Sequence, residues 1–365
     1  MRIVIKLGTS TLTAGTSHIS APVLIDLARQ VQALQKAEHQ VILVSSGAMA
    51  AGREMLGFPV LPKDIPAKQM LSAIGQPRLM GLYEELFGHY SLTVAQVLLT
   101  RADLASRRPY LNARNTLLAL LGQSVIPIIN ENDTIATEEI RVGDNDNLSA
   151  LVANLVDADW LVLLTDQDGL FTSDPRTTEN PELVREISEV DIPEYVWKAA
   201  GGNGTRLGTG GMFTKLQAAD LARRGGTTCL IANGSEPNIL IRLVNGERLG
   251  TRFLSVAGAV ESRKRYILSA RRTAGHVDID EGAAKALRKG GSLLPVGVLS
   301  VSGTFERGDI VRVLDPLHKE IARGIANYSS GDLAQLARRR SEEIESILGY
   351  NFGDEIIHRN NLVVL

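Results

Sequence analysis

One cysteine in 365 residues, Cys229, excludes an intrachain disulfide and any cysteine-cluster metal site. It lies in TTCLIA, a short apolar run that reads as a buried strand, so an inert core thiol is expected rather than a nucleophile. The six histidines (His18, His39, His89, His276, His318, His358) show no metal-ligand spacing and no HExxH. Neither a G-x-x-x-x-G-K-[ST] phosphate loop nor a G-x-S-x-G elbow is present, and the glycines from 202 to 211 miss the dinucleotide G-x-G-x-x-G spacing. No apolar run approaches the roughly 18 residues of a membrane helix. The opening MRIVIKLGTS is interrupted by Lys6 and is too short for a secretory apolar core. With a net charge of −2, no global basic field draws the chain to nucleic acid or anionic lipid. These absences leave a soluble cytoplasmic enzyme whose chemistry runs without a histidine base.

What is present is ordinary in bulk, 44% hydrophobic and 22% charged, over a length that usually divides into two domains. Buried-strand runs at Arg2–Leu7, Val41–Val44, Leu92–Leu98, Val125–Ile129, Trp160–Leu164 and Thr228–Ala232 alternate with helical patterns. Among the helices, 22–37 puts Val23, Leu24, Leu27, Ala28, Val31 and Leu34 on one face, and Lys68–Phe87 turns Met70, Leu71, Ile74, Leu79 and Leu82 inward. The alternation predicts an α/β fold, a mostly parallel sheet sandwiched by helices. After Phe253 the texture changes. A basic connector at 261–265 leads to short strands (Val277–Ile279, Val298–Val301, Ile310–Leu314, 321–327) split by glycines and one short helix, a small β-rich domain. The expected division is 1–256 catalytic domain, 257–273 linker, 274–352 β-rich domain and 353–365 tail.

The stretch 126–150, IPIINENDTIATEEIRVGDNDNLSA, joins a buried strand to a helix through a loop crowded with carboxylates and amides. Only Arg141 balances them locally, and Asp146 or Asn147 suits the helix cap. Open α/β sheets place ligands at such carboxyl ends of strands. Three other strand ends also begin with small or polar residues. Lys6-Leu7-Gly8-Thr9-Ser10 sets an ammonium beside free N–H groups, and Ser45-Ser46-Gly47-Ala48 opens a helix whose N-terminus favours an anion. The run 208–215, GTGGMFTK, enters a helix with a lysine one turn in; glycines let backbone approach a phosphate and the lysine adds charge. Each alone is commonly just a turn. Together they suggest a site with negative charge on one side and positive on the other. Phosphoryl transfer to a carboxylate fits: with a pKa near ~4.3 the acceptor is already ionised and needs no base.

These residues resemble the glutamate 5-kinase family of the amino acid kinase superfamily. The resemblance runs nearly end to end: VIKLGTS, VSSGAMAAGRE, LLTRAD with LNARNT, INENDTIATEEIRVGDNDNLSA, LLTDQDGLFTSDPR and GTGGMFTKLQAAD. The C-terminal VDIDEGAAKALRKGGSLLPVGV and GTFERGDIVRV look like a PUA domain, a β-rich pseudo-barrel. The resemblance implies ATP- and Mg²⁺-dependent phosphorylation of the γ-carboxylate of L-glutamate, the first step to proline. It implies that Lys6 and Lys215 contact the transferring phosphates and that Asp146 orients them. Gly8, Thr9, Thr165 and Asp166, with Thr209, Gly210, Gly211, Met212, Phe213, Thr214 and Lys215, would form the ATP site. Ser46, Asp133 and Asn145 would hold glutamate. Mg²⁺ would be held through the phosphates, with no protein ligand assigned. L-Proline would inhibit at or over the glutamate site, so 133–146 would also be regulatory, and the chain would form a dimer or tetramer. Two departures bear on detail. Phe213 is bulky where relatives carry a small residue, and Asp168 stands at a position often basic.

Competing readings are a related carboxylate or carbamate kinase, which would lack INEND…GDNDN, and an RNA-binding role for the C-terminal domain. From Thr273 to Tyr350 there are ten Lys/Arg against eleven Asp/Glu, no surplus for a phosphate backbone. The run Arg338-Arg339-Arg340 is flanked by Glu342, Glu343 and Glu345. Neither nucleic acid nor a membrane is an expected partner.

Overall fold

The computed structural model describes residues 1–62, 64–136, 145–173, 180–201, 211–256, 267–268 and 273–365. The chain forms two compact units, one of Met1–Ala105 with Ala113–Ala259, the other of Ser106–Asn112 with Val260–Leu365. In the first, the apolar runs become strands β1 (Arg2–Leu7), β2 (Gln40–Ser45), β3 (Val94–Leu99), β4 (Ile126–Glu131), β5 (Trp160–Thr165), β6 (Glu186–Ile187), β7 (Thr228–Asn233) and β8 (Thr251–Phe253). They make one eight-stranded sheet in the order β3-β4-β2-β1-β5-β7-β8-β6. Every pair is parallel except β7 with β8. The central strands are buried almost without alternation, which is what covering both faces demands. The sheet is therefore the mostly parallel α/β arrangement expected from the alternation of runs.

The connections are helices α1 (Thr9–Leu12), α2 (Ala21–Lys36), α3 (Ala48–Met55), α4 (Ile65–Gly88), α5 (Arg101–Ala105), α6 (Arg107–Gly122), α7 (Asp146–Leu155), α8 (Glu194–Ala199), α9 (Met212–Arg224) and α10 (Ile239–Val244). On one sheet face Ile3, Ile5 and Leu7 pack with Leu24, Leu27 and Val31 of α2 and with Leu79, Tyr83 and Phe87 of α4. Each such buried side chain is worth roughly 1.5–3 kcal/mol, so this layer holds the strand ends in place.

Helix α4 departs from its sequence pattern. It begins three residues earlier than expected, where the Asp64 carboxylate accepts from the Ala67 N–H at 2.9 Å. Met70, expected inside, is 41% exposed, while Ser72 and Gly75 are buried. Two glycines turn the helix this way. A Cβ on Gly75 would lie 1.9 Å from the Ala48 carbonyl oxygen, and one on Gly52 would lie 2.0 Å from that of Leu71. Only glycine lets the α3 and α4 backbones touch, and that contact fixes which face of α4 points inward.

In the second unit β9 (Gly275–Ile279), β10 (Val298–Gly303), β11 (Ile310–Leu314), β12 (Glu320–Ile325) and β13 (Leu362–Val364) form a sheet in the order β10-β9-β11-β12-β13. Val277, Ile279, Phe305, Val311, Val313, Tyr328 and Leu333 are buried together. Residues 353–365, expected as a tail, instead belong to this unit. Val363 pairs with Arg323 of β12, and Ile356 and Ile357 are fully buried in its core. A run of four apolar residues is too short to announce a strand until β12 offers it an edge. Besides α11 (Glu281–Arg288), the one helix expected here, there are α12 (Ser330–Leu336) and α13 (Ile344–Leu348). The former is started by a Ser329–Asp332 capping box, a start signal that the short strands around it obscure in the sequence. The connector 261–265 lies outside the described residues.

Candidate active site

The carboxyl ends of β1, β2, β4 and β5 stand side by side. Leu7 is opposite Ser45 on one side and Leu164 on the other, and Val44 is opposite Ile129. The turns and helix starts that leave these strands are therefore gathered at one edge. Strand alternation sends Ile5 and Leu7 into the apolar layer and Lys6 to the opposite face, where it is only 3% exposed. A buried ammonium needs a counter-charge. Asp146, the first residue of α7 and fully buried, supplies it: Lys6 Nζ contacts Oδ1, and Lys215 Nζ lies 3.2 Å from Oδ2. Thr214 Oγ donates to the same Oδ2 at 3.1 Å. The helix N-terminus favours a carboxylate there. Among the described residues two ammonium groups share one carboxylate, so the cluster they form carries a surplus positive charge in a desolvated place, a ready attraction for an anion.

Lys215 reaches this point because α9 starts directly after its N-cap Gly211, with no acidic residue in its first turn. Gly211 is described; Thr209 and Gly210 lie outside the described residues. Met212 is half-buried and Thr214 and Lys215 are buried. Phe213 turns the other way, its ring meeting the Trp197 ring edge-on at 5.7 Å and 36% of it exposed. Its bulk is thus accommodated on α8. Gly8 precedes α1, and a Cβ there would stand 3.8 Å from Lys6 Nζ, so the turn lies beside the ammonium. Thr165 ends β5 and its hydroxyl donates to Asp166 at 3.1 Å. Asp168 accepts from Asn233 Nδ2 at 2.9 Å at the end of the adjoining strand β7. Cys229 is buried in β7; burial, then the nearby Asp146 charge, pushes its thiol well above the ordinary range.

Next to the cluster, one residue along the chain, Asn145 opens a cleft of about 500 Å³. Thr9, Ser46, Asp133 and Asn145, four of the residues singled out in the sequence, line it together. Asn145 Nδ2 donates to the Ser45 carbonyl at 2.9 Å, to Asn130 Oδ1 at 2.8 Å and to Ser46 Oγ at 3.3 Å. The Asp133 carboxylate accepts from Ser72 Oγ at 2.7 Å. Four further polar lining residues were assigned no role from the sequence: Asn130, Glu131, Arg53 and Lys68. Asn130 and Glu131 sit within the INEND stretch, and Arg53 and Lys68 look like solvated helix positions. The cleft accordingly presents carboxylates and ammonium or guanidinium groups within one space, the complement of a zwitterion with a further negative charge. Glu138, Glu139, Arg141 and Asp144 of the same loop lie outside the described residues.

A parallel α/β sheet with buried lysines around one aspartate at its carboxyl edge, and a cleft of both signs beside them, is the setting of a small-molecule enzyme. The profile of the Amino acid kinase family matches residues 1–233, and the chain belongs to that family. The PUA domain profile matches residues 275–348. Over 364 residues the chain is 53% identical to the glutamate 5-kinases of Vibrio campbellii and Herpetosiphon aurantiacus, covering all of this chain and 96% and 98% of theirs. It is 50% identical over 365 residues to the glutamate 5-kinase of Shewanella amazonensis, covering 96% of that protein. Among the described residues no helix is long and apolar enough to cross a membrane.

Proposed function

We propose that the first unit transfers the γ-phosphoryl group of Mg²⁺-ATP to the γ-carboxylate of L-glutamate, releasing ADP and L-glutamyl 5-phosphate. The observation that carries the reading is the buried Lys6–Asp146–Lys215 cluster set one residue from the mixed-charge cleft. The acceptor carboxylate attacks as an anion. An oxygen–phosphorus bond forms as the bond from phosphorus to the β-phosphate oxygen breaks, and no proton has to move. What the site must do is tolerate negative charge on both sides of the phosphorus. Lys6 and Lys215 spread that charge, and Asp146 holds both ammonium groups at fixed positions, so little reorganisation is needed during transfer.

Gly8, Thr9, Thr165, Asp166 and 209–215 take the nucleotide in this scheme, and Ser46, Asp133 and Asn145 take glutamate. Asp133 accepts from its ammonium group, while Arg53 and Lys68 offer cations for its carboxylates. Mg²⁺ would enter bound to ATP and would supply charge neutralisation at the phosphates, with no protein ligand assigned to it. The proposal extends to entry into proline synthesis, inhibition by L-proline over the glutamate site, a cytoplasmic location and a homo-oligomer. It also assigns 1–256 to catalysis, 257–273 to a linker and 274–352, with 353–365 completing the sheet, to the PUA domain. The test is ATP- and Mg²⁺-dependent hydroxamate formation in hydroxylamine with L-glutamate, L-aspartate or N-acetyl-L-glutamate. Hydroxamate from glutamate alone, suppressed by proline, is expected. Preference for another acid overturns the substrate assignment, and none with any acid overturns the reaction.

A further inference from the structure

The apolar pattern marks α4 as a core helix, yet it carries three polar side chains on the face that meets the loop after β4. Gln69, Ser72 and Gln76 are spaced i, i+3, i+7 and so share one side of the helix. Each takes hold of a different point, two in that loop and one at the end of β4 itself. Gln69 Nε2 donates to the Thr134 carbonyl at 3.2 Å, Ser72 Oγ to the Asp133 carboxylate at 2.7 Å, and Gln76 Oε1 accepts from Asn130 Nδ2 at 2.8 Å. Ser72 is 4% exposed, so the hydroxyl end of this bond is buried, while the Asp133 carboxylate is half-buried at the cleft.

The Gln76 contact matches a polarity of the amides that the backbone fixes. Asn130 Oδ1 accepts from the Glu131 backbone N–H at 2.9 Å, which has no alternative role, so the Asn130 amide nitrogen must face Gln76. With that oxygen fixed, Asn145 has to present its nitrogen to Asn130 and to the Ser45 carbonyl. Its own oxygen is the amide atom these bonds leave to the cleft. The order of donors and acceptors therefore runs from α4 through Asn130 to Asn145, and from α4 through Ser72 to Asp133. The Gly52–Gly75 backbone contact pins α4 against α3, which begins directly after Ser46 and Gly47, so all substrate-side groups share one rigid reference.

We propose that Ser72 and Gln76 are positioning residues for the carboxylate-bearing substrate, Ser72 through Asp133 and Gln76 through the Asn130–Asn145 amides. The proposal rests on the function given above. It is tested by steady-state kinetics of the full chain with glutamate and Mg²⁺-ATP for Ser72→Ala and Gln76→Leu, each confirmed folded by thermal melting. Ser72→Ala is also placed in an Asp133→Ala background. A bond to a charged group lost from a buried site raises the glutamate KM about tenfold, with kcat and the ATP KM changed by less than about threefold. In the Asp133→Ala background the Ser72 change adds nothing further, because its partner is gone. Equal effects on both substrates, an undiminished effect in the Asp133→Ala chain, or an unchanged glutamate KM would overturn it. Should Gln76→Leu not fold, Ser72→Ala and its double variant still decide the matter. An unaltered chain that makes no glutamyl hydroxamate brings down the proposed function itself, whereas an active one without the KM split brings down only the positioning role.

Discussion

At one end of the site a single carboxylate is gripped by two ammonium groups; at the other, amides and hydroxyls hand hydrogen bonds along a chain from α4 to the cleft. The lysine end is ionic and nearly dry. Its geometry is dictated by charge, because three buried ionisable groups have little alternative but to meet. The cleft end is largely neutral in its supports, and its geometry is dictated by the direction of each donor. The first arrangement suits a task that depends on field strength, the second a task that depends on shape and on telling one acid from another.

This contrast orders the expected losses. Asp146→Asn should be the most damaging, since it removes the carboxylate charge that both buried ammonium groups contact. A drop in kcat of about 10³-fold and a stability loss of roughly 3–5 kcal/mol are expected from activity and thermal denaturation. A mild effect would mean that the lysines are held by something other than this carboxylate. Lys215→Ala should lower kcat by about 10²–10³-fold with glutamate binding nearly intact, read by kinetics and calorimetric titration. Equal loss of glutamate affinity would erase the boundary between the two ends. Asp133→Asn keeps shape and removes charge, so the glutamate KM should rise roughly ten- to hundredfold and ATP affinity should barely change. A matching fall in ATP affinity would move Asp133 to the lysine end. Phe213→Ala, whose ring leans on Trp197 and away from the cluster, should change kcat and the ATP KM by less than about twofold. A larger effect would show that the outer face of α9 helps to set Lys215.

The same contrast explains what is legible in the sequence. Lys6, Asp146 and Lys215 each sit at the end of a buried strand or the opening of a helix, and their neighbours in sequence are informative. Thr9, Ser46, Asp133 and Asn145 can be named for similar reasons and meet in one cleft. Ser72 and Gln76 cannot, because a helix with Leu71, Leu79 and Phe87 buried looks like a core helix and a stray serine or glutamine looks like solvent. Met70 is misplaced for the same reason: periodicity gives the width of an apolar face, while its rotation here is set by two glycines meeting α3. Asn130 is visible as part of an acidic and amide stretch, but its role as a relay depends on Gln76, 54 residues away.

By itself the sequence determined the alternation of strands and helices, hence a parallel sheet, and the small or polar residues at each strand end, hence a site along one edge. These are local matters: burial on two faces requires continuous apolar runs, and a turn into a helix requires residues that free the backbone N–H groups. The tertiary structure decided which of those ends touch, that Lys6 and Lys215 share one aspartate, which side of α4 looks inward, and that residues 353–365 complete a sheet. Such choices rest on contacts between segments far apart in the chain, where strand order, a glycine-sized approach and the direction of a donor count for more than the identity of any neighbour.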